Sequence, residues 1–199
     1  ILTSGAGLTE EAAAEYTEIN LNNNLVRILS LGAYPEENNG WDGESMAQVT
    51  ATRPGILFNS DLALNAVSKM STADSFDILM IHGGREWTSA PYEDQKKLYR
   101  KYLDAGADVI IGSHPHVLQG MEEWNGKLIA YSLGNFIFPG MGAKSYAEES
   151  IILSFGIIDN EIKYIEPISV KINNRTISVD KTDRILDRFI NLTKDLIGR

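Results

Sequence analysis

The sequence contains no cysteine, and this absence excludes several kinds of chemistry. Without thiols the chain forms no disulfide, offers no thiolate nucleophile and holds no Cys-ligated zinc. Any bound metal must therefore use imidazole, carboxylate, amide, backbone or water ligands. The lack of cysteine does not fix the compartment, because many exported proteins also lack it.

Basic residues are scarce relative to acidic ones: 18 Lys and Arg stand against 27 Asp and Glu, a formal net charge of −9. Nucleic acid is not an expected partner, because neutralising phosphates needs a basic surface. An anionic ligand needs a local cationic spot, which a metal ion can supply. We also expect no membrane segment, since no apolar run approaches about 18–20 residues, and no targeting signal opens the chain.

Two short apolar runs of the buried parallel-strand type lie in the middle of the chain, at Phe76–Ile81 and Asp108–Ile111. A helix predicted from about Tyr92 to Ala105 separates them, and this order predicts an α/β fold whose site forms at the carboxyl ends of parallel strands. Asn125-Gly126 and Asp159-Asn160 predict two hairpins. The other predicted elements are a strand over Leu25–Leu31, a loop over 34–55 and helices over Glu10–Tyr16, Asp61–Met70 and Asp183–Ile197.

All three histidines of the chain follow these buried runs. His82 comes directly after the first run, and His114 and His116 come after the second, on either side of Pro115. We expect the pair to lie in an extended segment, so that both rings point the same way and Pro115 stiffens the geometry. Imidazole is the commonest nitrogen ligand of zinc, iron and manganese-type ions, so the three together predict a metal site. A lone histidine at a strand end is more often a hydrogen-bonded surface or cap residue, so the prediction depends on the three occurring together.

Further candidates follow the same strands. Glu86 is predicted as a metal ligand, a general acid or base, or an acceptor for an imidazole N–H, although a solvated loop carboxylate has the same pattern. Arg85 is predicted to bind an anionic substrate, against an ordinary surface arginine. Asn135 follows the first hairpin and is predicted to contact substrate or to order a ligand loop. Gly83 and Gly84 indicate a close backbone approach or a simple turn.

These motifs resemble a known family. HGGREW (82–87), the helix with Gln95, and DAGADVIIGSHPHVLQGMEEWNGKLIAYSLGNFIF (104–138) are similar to the CapA family. These are bacterial capsule and poly-γ-glutamate biosynthesis proteins, a branch of the calcineurin-like metallophosphoesterases. The resemblance is strong over about 76–138 and extends to GAGLTEEAA (5–13). GADVIIGSHPH with YSLGNF is highly specific, whereas HGG-x-E alone is less so.

The resemblance implies a four-layer α/β/β/α sandwich and a centre of two divalent metal ions of the Mn, Fe or Zn kind. By analogy, His82 and His114 bind one metal and His116 binds the other, with Glu86 and Asn135 beside them. Such a centre activates water for attack on a phosphoester or similar anionic substrate.

This sequence departs from the family pattern in one respect. The superfamily takes further ligands from Gly-Asp and Asn-His motifs in an N-terminal half, and this chain has neither. We therefore expect a single metallophosphoesterase-like domain over residues 1–199 that lacks its N-terminal strands. The missing part is expected elsewhere, for example on another chain. Alone, the chain is expected to bind metal weakly or at one site and to be inactive as a hydrolase.

Three functions stay open at this point. The first is a metal-dependent hydrolase acting on an anionic small molecule or polymer. The second is a non-catalytic accessory protein of capsule assembly or export that binds or positions an anionic polymer. The third is a single-metal deacetylase or amidase. The family resemblance implies an extracytoplasmic, cell-envelope location.

Overall fold

The structure is a computed structural model that describes residues 1–22, 24–37, 39–140, 142–173 and 175–198. Its strands are β1 (Ala6–Gly7), β2 (Thr17–Leu21), β3 (Asn24–Ala33), β4 (Gly55–Ile56), β5 (Ser75–Gly83), β6 (Val109–Ser113), β7 (Leu118–Trp124), β8 (Lys127–Leu133), β9 (Glu149–Ile158), β10 (Glu161–Asn173) and β11 (Thr176–Val179). Its helices are α1 (Glu10–Ala13), α2 (Gly43–Ala47), α3 (Asp61–Met70), α4 (Glu93–Asp104) and α5 (Arg184–Ile197).

A six-stranded sheet with the order β2-β3-β5-β6-β8-β7 forms the centre of the fold. Strands β3, β5, β6 and β8 run parallel, and the outer strands β2 and β7 are antiparallel to their neighbours. The predicted parallel arrangement of the two buried runs is therefore confirmed. In the register of β5 and β6, His82 lies opposite Ser113, which brings both histidine-bearing loops to one edge.

The two faces of this sheet are covered differently, because side chains alternate along each strand. Leu79 and Ile81 of β5 face helices α3 and α4 and form the main core with buried side chains of those helices. Phe76 and Ile78 face the other way and pack on Phe155 of the three-stranded sheet β11-β10-β9. The predicted α/β sandwich is thus confirmed: helices cover one face of the six-stranded sheet, and the three-stranded sheet covers the other. Helix α5 packs on β7, β9 and β10 through buried Ile185 and Phe189.

Several elements differ from the sequence prediction. The helix from Glu10 ends at Ala13, and the predicted loop over 34–55 contains α2. Strands β2 and β11 were not predicted, because each is short and mostly exposed, so neither has the buried apolar pattern of β5. None of the helices in the described part of the chain has the length and apolar composition needed to cross a membrane.

Candidate functional site

The structure brings the three predicted histidines together at the carboxyl edge of the central sheet. The ring centroids of His82 and His114 lie 4.8 Å apart, and those of His114 and His116 lie 6.2 Å apart. This meeting follows from the sheet register, since β5 and β6 are neighbours that end at the same level. We call these three residues the histidine cluster.

The path of the chain through His114 and His116 is not the predicted one. Both residues have positive φ, +96° and +61°, so the segment around Pro115 is bent and the prediction of an extended one was wrong. Positive φ is uncommon for residues other than glycine and costs free energy that tertiary contacts must offset. One such contact is the hydrogen bond that the Trp87 N–H donates to Pro115 O at 2.9 Å. The rings converge because neighbouring loops hold this bend.

His82 and His114 face each other through ring nitrogens. His82 Nε2 lies 3.1 Å from His114 Nδ1, and His82 Nδ1 lies 3.1 Å from Ser113 Oγ. Burial lowers the pKa of His114 to about 4, with further contributions from the other two imidazoles. Burial, followed by the charge of His116, also lowers the pKa of His82, against a smaller opposing effect of Glu37. His114 is therefore neutral at pH 7, the form that binds metals, and the shift of the His82 pKa favours the same form.

His116 is held in one tautomer by Asn135. The Asn135 Nδ2 donates to Ala147 O at 3.0 Å and to His116 O at 3.2 Å, so its Oδ1 is the acceptor that faces His116 Nδ1 at 2.7 Å. A neutral His116 thus has its proton on Nδ1 and a free lone pair on Nε2. The described hydrogen bonds of the Asn135 side chain go to His116 and to the backbone of Ala147, which favours a role in ordering these two loops. Substrate contact by Asn135 stays a prediction.

The other predicted residues lie next to the cluster. Glu86 Oε1 is 3.8 Å from His116 Nε2, the nitrogen with the free lone pair. Arg85 is half-exposed, and its guanidinium pairs with Asp94 at 2.9 Å and lies over the Tyr92 ring at 4.0 Å. Part of the Arg85 charge is therefore already engaged. Its role in binding substrate, like the catalytic role of Glu86, stays a prediction.

Three further residues of the site were not identified from the sequence. Tyr34 stacks on His114 with ring centroids 4.7 Å apart. Glu36 and Glu37 follow it and, with Glu86 and His114, line a cavity of about 210 Å³ that we call the acidic cavity. Tyr34, Glu36 and Glu37 come from the stretch predicted as loop, where no periodicity shows which side chains turn toward the sheet edge. Arg85 also lines this cavity, so three carboxylates stand against one guanidinium and the lining is net negative, which favours cations.

The cluster fits part of a metal-ligand set. Two ligands of one tetrahedral zinc lie about 3.3 Å apart when each is about 2.0–2.1 Å from the metal, close to the 3.1 Å between the His82 and His114 nitrogens. The Ser113 hydroxyl on the second nitrogen of His82 resembles the outer hydrogen bonds of metal-bound histidines. Across residues 1–22, 24–37, 39–140, 142–173 and 175–198, however, no group of three or more His, Asp and Glu has the geometry to hold a metal ion.

Comparisons with known proteins agree with the resemblance found in the sequence. A family model described as bacterial capsule synthesis protein PGA_cap matches residues 1–140. The PGA biosynthesis protein CapA of Bacillus subtilis (strain 168) is 32% identical over 145 residues, which cover 71% of this chain and 38% of that protein. The capsule biosynthesis protein CapA of Bacillus anthracis is 31% identical over 159 residues, covering 75% and 37%. The chain thus spans less than two fifths of the length of either relative.

One solved structure supports the fold alone. It is the crystal structure of a hypothetical protein from Thermus thermophilus, at a TM-score of 0.50 and 12% identity. The superposition covers 78% of this chain and 61% of that chain. At this identity the likeness extends to the layered arrangement of sheets and helices and not to any residue of the site.

Proposed function

The chain belongs to the PGA_cap family of bacterial capsule synthesis proteins, and we propose that its histidine cluster is part of a divalent-metal site that hydrolyses an anionic substrate. The two Bacillus relatives are named for PGA and capsule biosynthesis. The proposed setting is therefore the synthesis of an anionic capsule polymer, poly-γ-glutamate, at the cell envelope. The proposed metal is Mn, Fe or Zn, with two ions in the complete centre.

One observation carries the proposal: His82 Nε2 and His114 Nδ1 face each other at 3.1 Å, and the pKa of each imidazole is lowered, which favours the neutral form. Two neutral imidazoles in this position share a proton or hold a cation between them. The acidic cavity next to them favours the cation, because its three carboxylates outnumber the one guanidinium, that of Arg85, in its lining.

The residues of the chain have separate proposed roles in this reaction. His82 and His114 would hold one metal, and the free Nε2 of His116 would face the second. A bound divalent metal supplies Lewis acidity and lowers the pKa of coordinated water. Glu86 Oε1, 3.8 Å from His116 Nε2, would take up or deliver the proton of the leaving group. The exposed part of the Arg85 guanidinium would orient the anion.

Metal binding by the chain tests the proposal directly. Titration with Zn²⁺ and Mn²⁺ by isothermal calorimetry at pH 7.5 is expected to show saturable binding that weakens at least about tenfold in His82→Ala and in His114→Ala. Lys69→Ala, an exposed change on α3, is the control and is expected to bind like the unchanged protein. Equal binding in all variants would contradict the proposal. Hydrolysis of bis(p-nitrophenyl) phosphate by the full gene product, with His114→Ala beside it, then tests catalysis.

A second candidate function is the binding of an anionic polymer without catalysis, and a different cavity favours it. Lys144, Lys171 and Arg184 line a cavity of about 300 Å³, which we call the basic cavity. Glu149 also lines it, but Arg184 and Arg188 contact its two oxygens at 2.6 and 3.0 Å and so offset its charge.

The basic cavity lies close to the histidine cluster. Lys144 Nζ is 5.0 Å from the Trp87 ring centroid, and Trp87 stacks on His116 with centroids 5.0 Å apart. Glu148 is the remaining carboxylate of its lining. In a chain of net charge −9, a group of cations this close to the cluster gives a polyanion one place to bind.

A further inference from the structure

Helix α4 borders a second cavity beside the histidine cluster, to which the proposed reaction gives no role. Its volume is about 230 Å³, well above the roughly 30 Å³ that one water molecule occupies. We call it the α4 cavity. Pro35, Arg85 and Tyr92 line both this cavity and the acidic cavity, so the two cavities adjoin. A ligand bound in the α4 cavity therefore lies next to the site proposed for the reaction.

Arg85 is held where the two cavities meet by contacts of two kinds. Its Nη2 donates to Asp94 Oδ2 at 2.9 Å, and its guanidinium lies over the Tyr92 ring, 4.0 Å from the centroid. Asp94 Oδ1 accepts from the Gln95 backbone N–H at 2.8 Å, so α4 in turn holds this carboxylate. Within the described residues, Arg85 Nε and Nη1 have no hydrogen-bond partner. An arginine positioned in this way has N–H groups free to bind a carboxylate.

The α4 cavity also contains a carboxylate that belongs to no ion pair. Glu44 is an exposed residue of α2 that lines the cavity, and it forms no ion pair in the described part of the chain. Arg85 and Asp94 offset each other, so with Glu44 two carboxylates stand against one guanidinium and the lining is net negative. The cavity therefore has two features that a ligand can use, free N–H donors on Arg85 and an uncompensated negative charge on Glu44.

A ligand with a single charge matches only one of these features. A lone carboxylate binds Arg85, but the net negative lining repels it. A lone ammonium binds Glu44, but it gains nothing from Arg85, whose charge repels it. A group that carries both an ammonium and a carboxylate matches both residues, and its own net charge is zero.

We propose that the α4 cavity binds a zwitterionic α-amino-acid group, with its carboxylate on Arg85 and its ammonium on Glu44. The identity of the ligand rests on the proposed function, from which this group is the amino-terminal residue of poly-γ-glutamate. A γ-linkage leaves both the α-ammonium and the α-carboxylate of that residue free, whereas every later residue has an amide nitrogen in place of the ammonium. The first amide bond lies two CH₂ groups beyond the zwitterionic carbon, on the side that would extend past Arg85 into the acidic cavity. The α4 cavity thus selects the end of the polymer over its interior.

Three ligands that differ by one charged group test the proposal by NMR titration of the 199-residue protein without added metal. They are γ-glutamylethylamide, as each enantiomer, its analogue without the amino group (glutaric acid monoethylamide) and its analogue without the carboxylate (4-aminobutyric acid ethylamide). We expect γ-glutamylethylamide to give saturable shifts at the Gly84 amide and the Arg85 Nε–H, with a Kd about 3- to 10-fold higher for each analogue. An analogue that binds as tightly as γ-glutamylethylamide, or no saturable shift with γ-glutamylethylamide, would overturn the proposal.

Two variants show which residue binds which charge. Glu44→Gln is expected to raise the Kd of γ-glutamylethylamide about 3- to 10-fold, but not that of the analogue without the amino group. Arg85→Gln is expected to raise the Kd of γ-glutamylethylamide similarly, but not that of the analogue without the carboxylate. Glu123→Gln, an exposed change on β7, is the control for the loss of one negative charge and is expected to bind all three ligands like the unchanged protein.

The pattern of these changes decides the assignment. A variant that raises the Kd of all three ligands equally, or an effect of Glu123→Gln as large as that of Glu44→Gln, would contradict it. Equal Tm values of the variants and the unchanged protein check that each one folds, which is expected because Glu44 is exposed and Arg85 is half-exposed. None of these titrations contains metal, so their failure is distinguishable from failure of the calorimetric test of the histidine cluster.

Discussion

Asn135 accepts a hydrogen bond from His116 at 2.7 Å while its own amide N–H groups are held by two backbone carbonyls. Asn135 is 7% exposed and follows β8, whereas His116 lies in the bent loop after β6. The contact therefore joins two strand ends and determines which nitrogen of His116 is free. It also helps to hold His116 at a φ of +61°, which few residues other than glycine adopt.

We predict that Asn135→Ala destabilises the protein by about 1–3 kcal/mol, because it leaves buried backbone acceptors without donors. The variant should also release the His116 tautomer. Long-range ¹H–¹⁵N spectra of the imidazole are expected to show Nδ1-protonated His116 in the unchanged protein and a mixture of tautomers in the variant. Asn20→Ala, at an exposed position of β2, is the control for stability. An unaltered tautomer in Asn135→Ala would mean that another contact orients the ring.

The positions of the histidines were largely predictable, and their surroundings were not. Phe76–Ile81 and Asp108–Ile111 have the buried-strand pattern, and adjacent parallel strands end at one edge, so the convergence of His82 with His114 followed from sequence alone. Glu37 and Tyr34 reach the cluster from an irregular segment, for which hydrophobic periodicity gives no direction.

The local backbone geometry at the histidine cluster could not be predicted from the sequence either. The bend at His114 depends on contacts with other loops, such as the hydrogen bond from Trp87 to Pro115, and not on the local sequence. The same is true of β2, an edge strand whose pattern is too polar to stand out from a loop. Contacts between segments distant in sequence determined each of these features.

The lowered pKa of His114 predicts how metal-free protein responds to acid. The unfolded histidine takes up a proton near its ordinary pKa of about 6.5, whereas the folded one does so only near pH 4. The unfolded state therefore binds more protons between these values, and stability falls as the pH decreases from about 6.5 to about 4. Between these pH values, we expect the free energy of unfolding of His114→Asn to fall by about 1–3 kcal/mol less than that of the unchanged protein. Urea unfolding at each pH measures this difference.

Asp77 provides a control of opposite sign. It is 1% exposed, and burial, with a further contribution from Asp108, raises its pKa to about 6. The unfolded carboxyl releases its proton first, so Asp77 lowers stability as the pH rises from about 4 to 6. Relative to the unchanged protein, Asp77→Asn should thus gain stability toward higher pH, while His114→Asn gains it toward lower pH. Parallel profiles for the two variants would show that neither group dominates the response.

Binding of poly-γ-glutamate distinguishes polymer binding at the basic cavity from a general charge effect. We predict that the double variant Lys144→Ala with Lys171→Ala weakens binding about 3- to 10-fold at low ionic strength, since each exposed ion pair contributes about 0.2–1 kcal/mol. The difference should shrink at 0.5 M NaCl, where charges are screened over a few ångströms. Fluorescence anisotropy of a labelled polymer measures both effects.

The matched control is Lys69→Ala with Lys97→Ala, which removes the same two charges from exposed positions of α3 and α4. Both double variants have a formal net charge of −11 instead of −9, so any difference between them reports position. Equal weakening in the two would exclude a defined polymer site at the basic cavity. Single-stranded DNA provides a second comparison, because binding as strong as that of poly-γ-glutamate would indicate recognition of negative charge alone. A loss confined to the Lys144 and Lys171 variant, with poly-γ-glutamate preferred, would support polymer binding next to the histidine cluster.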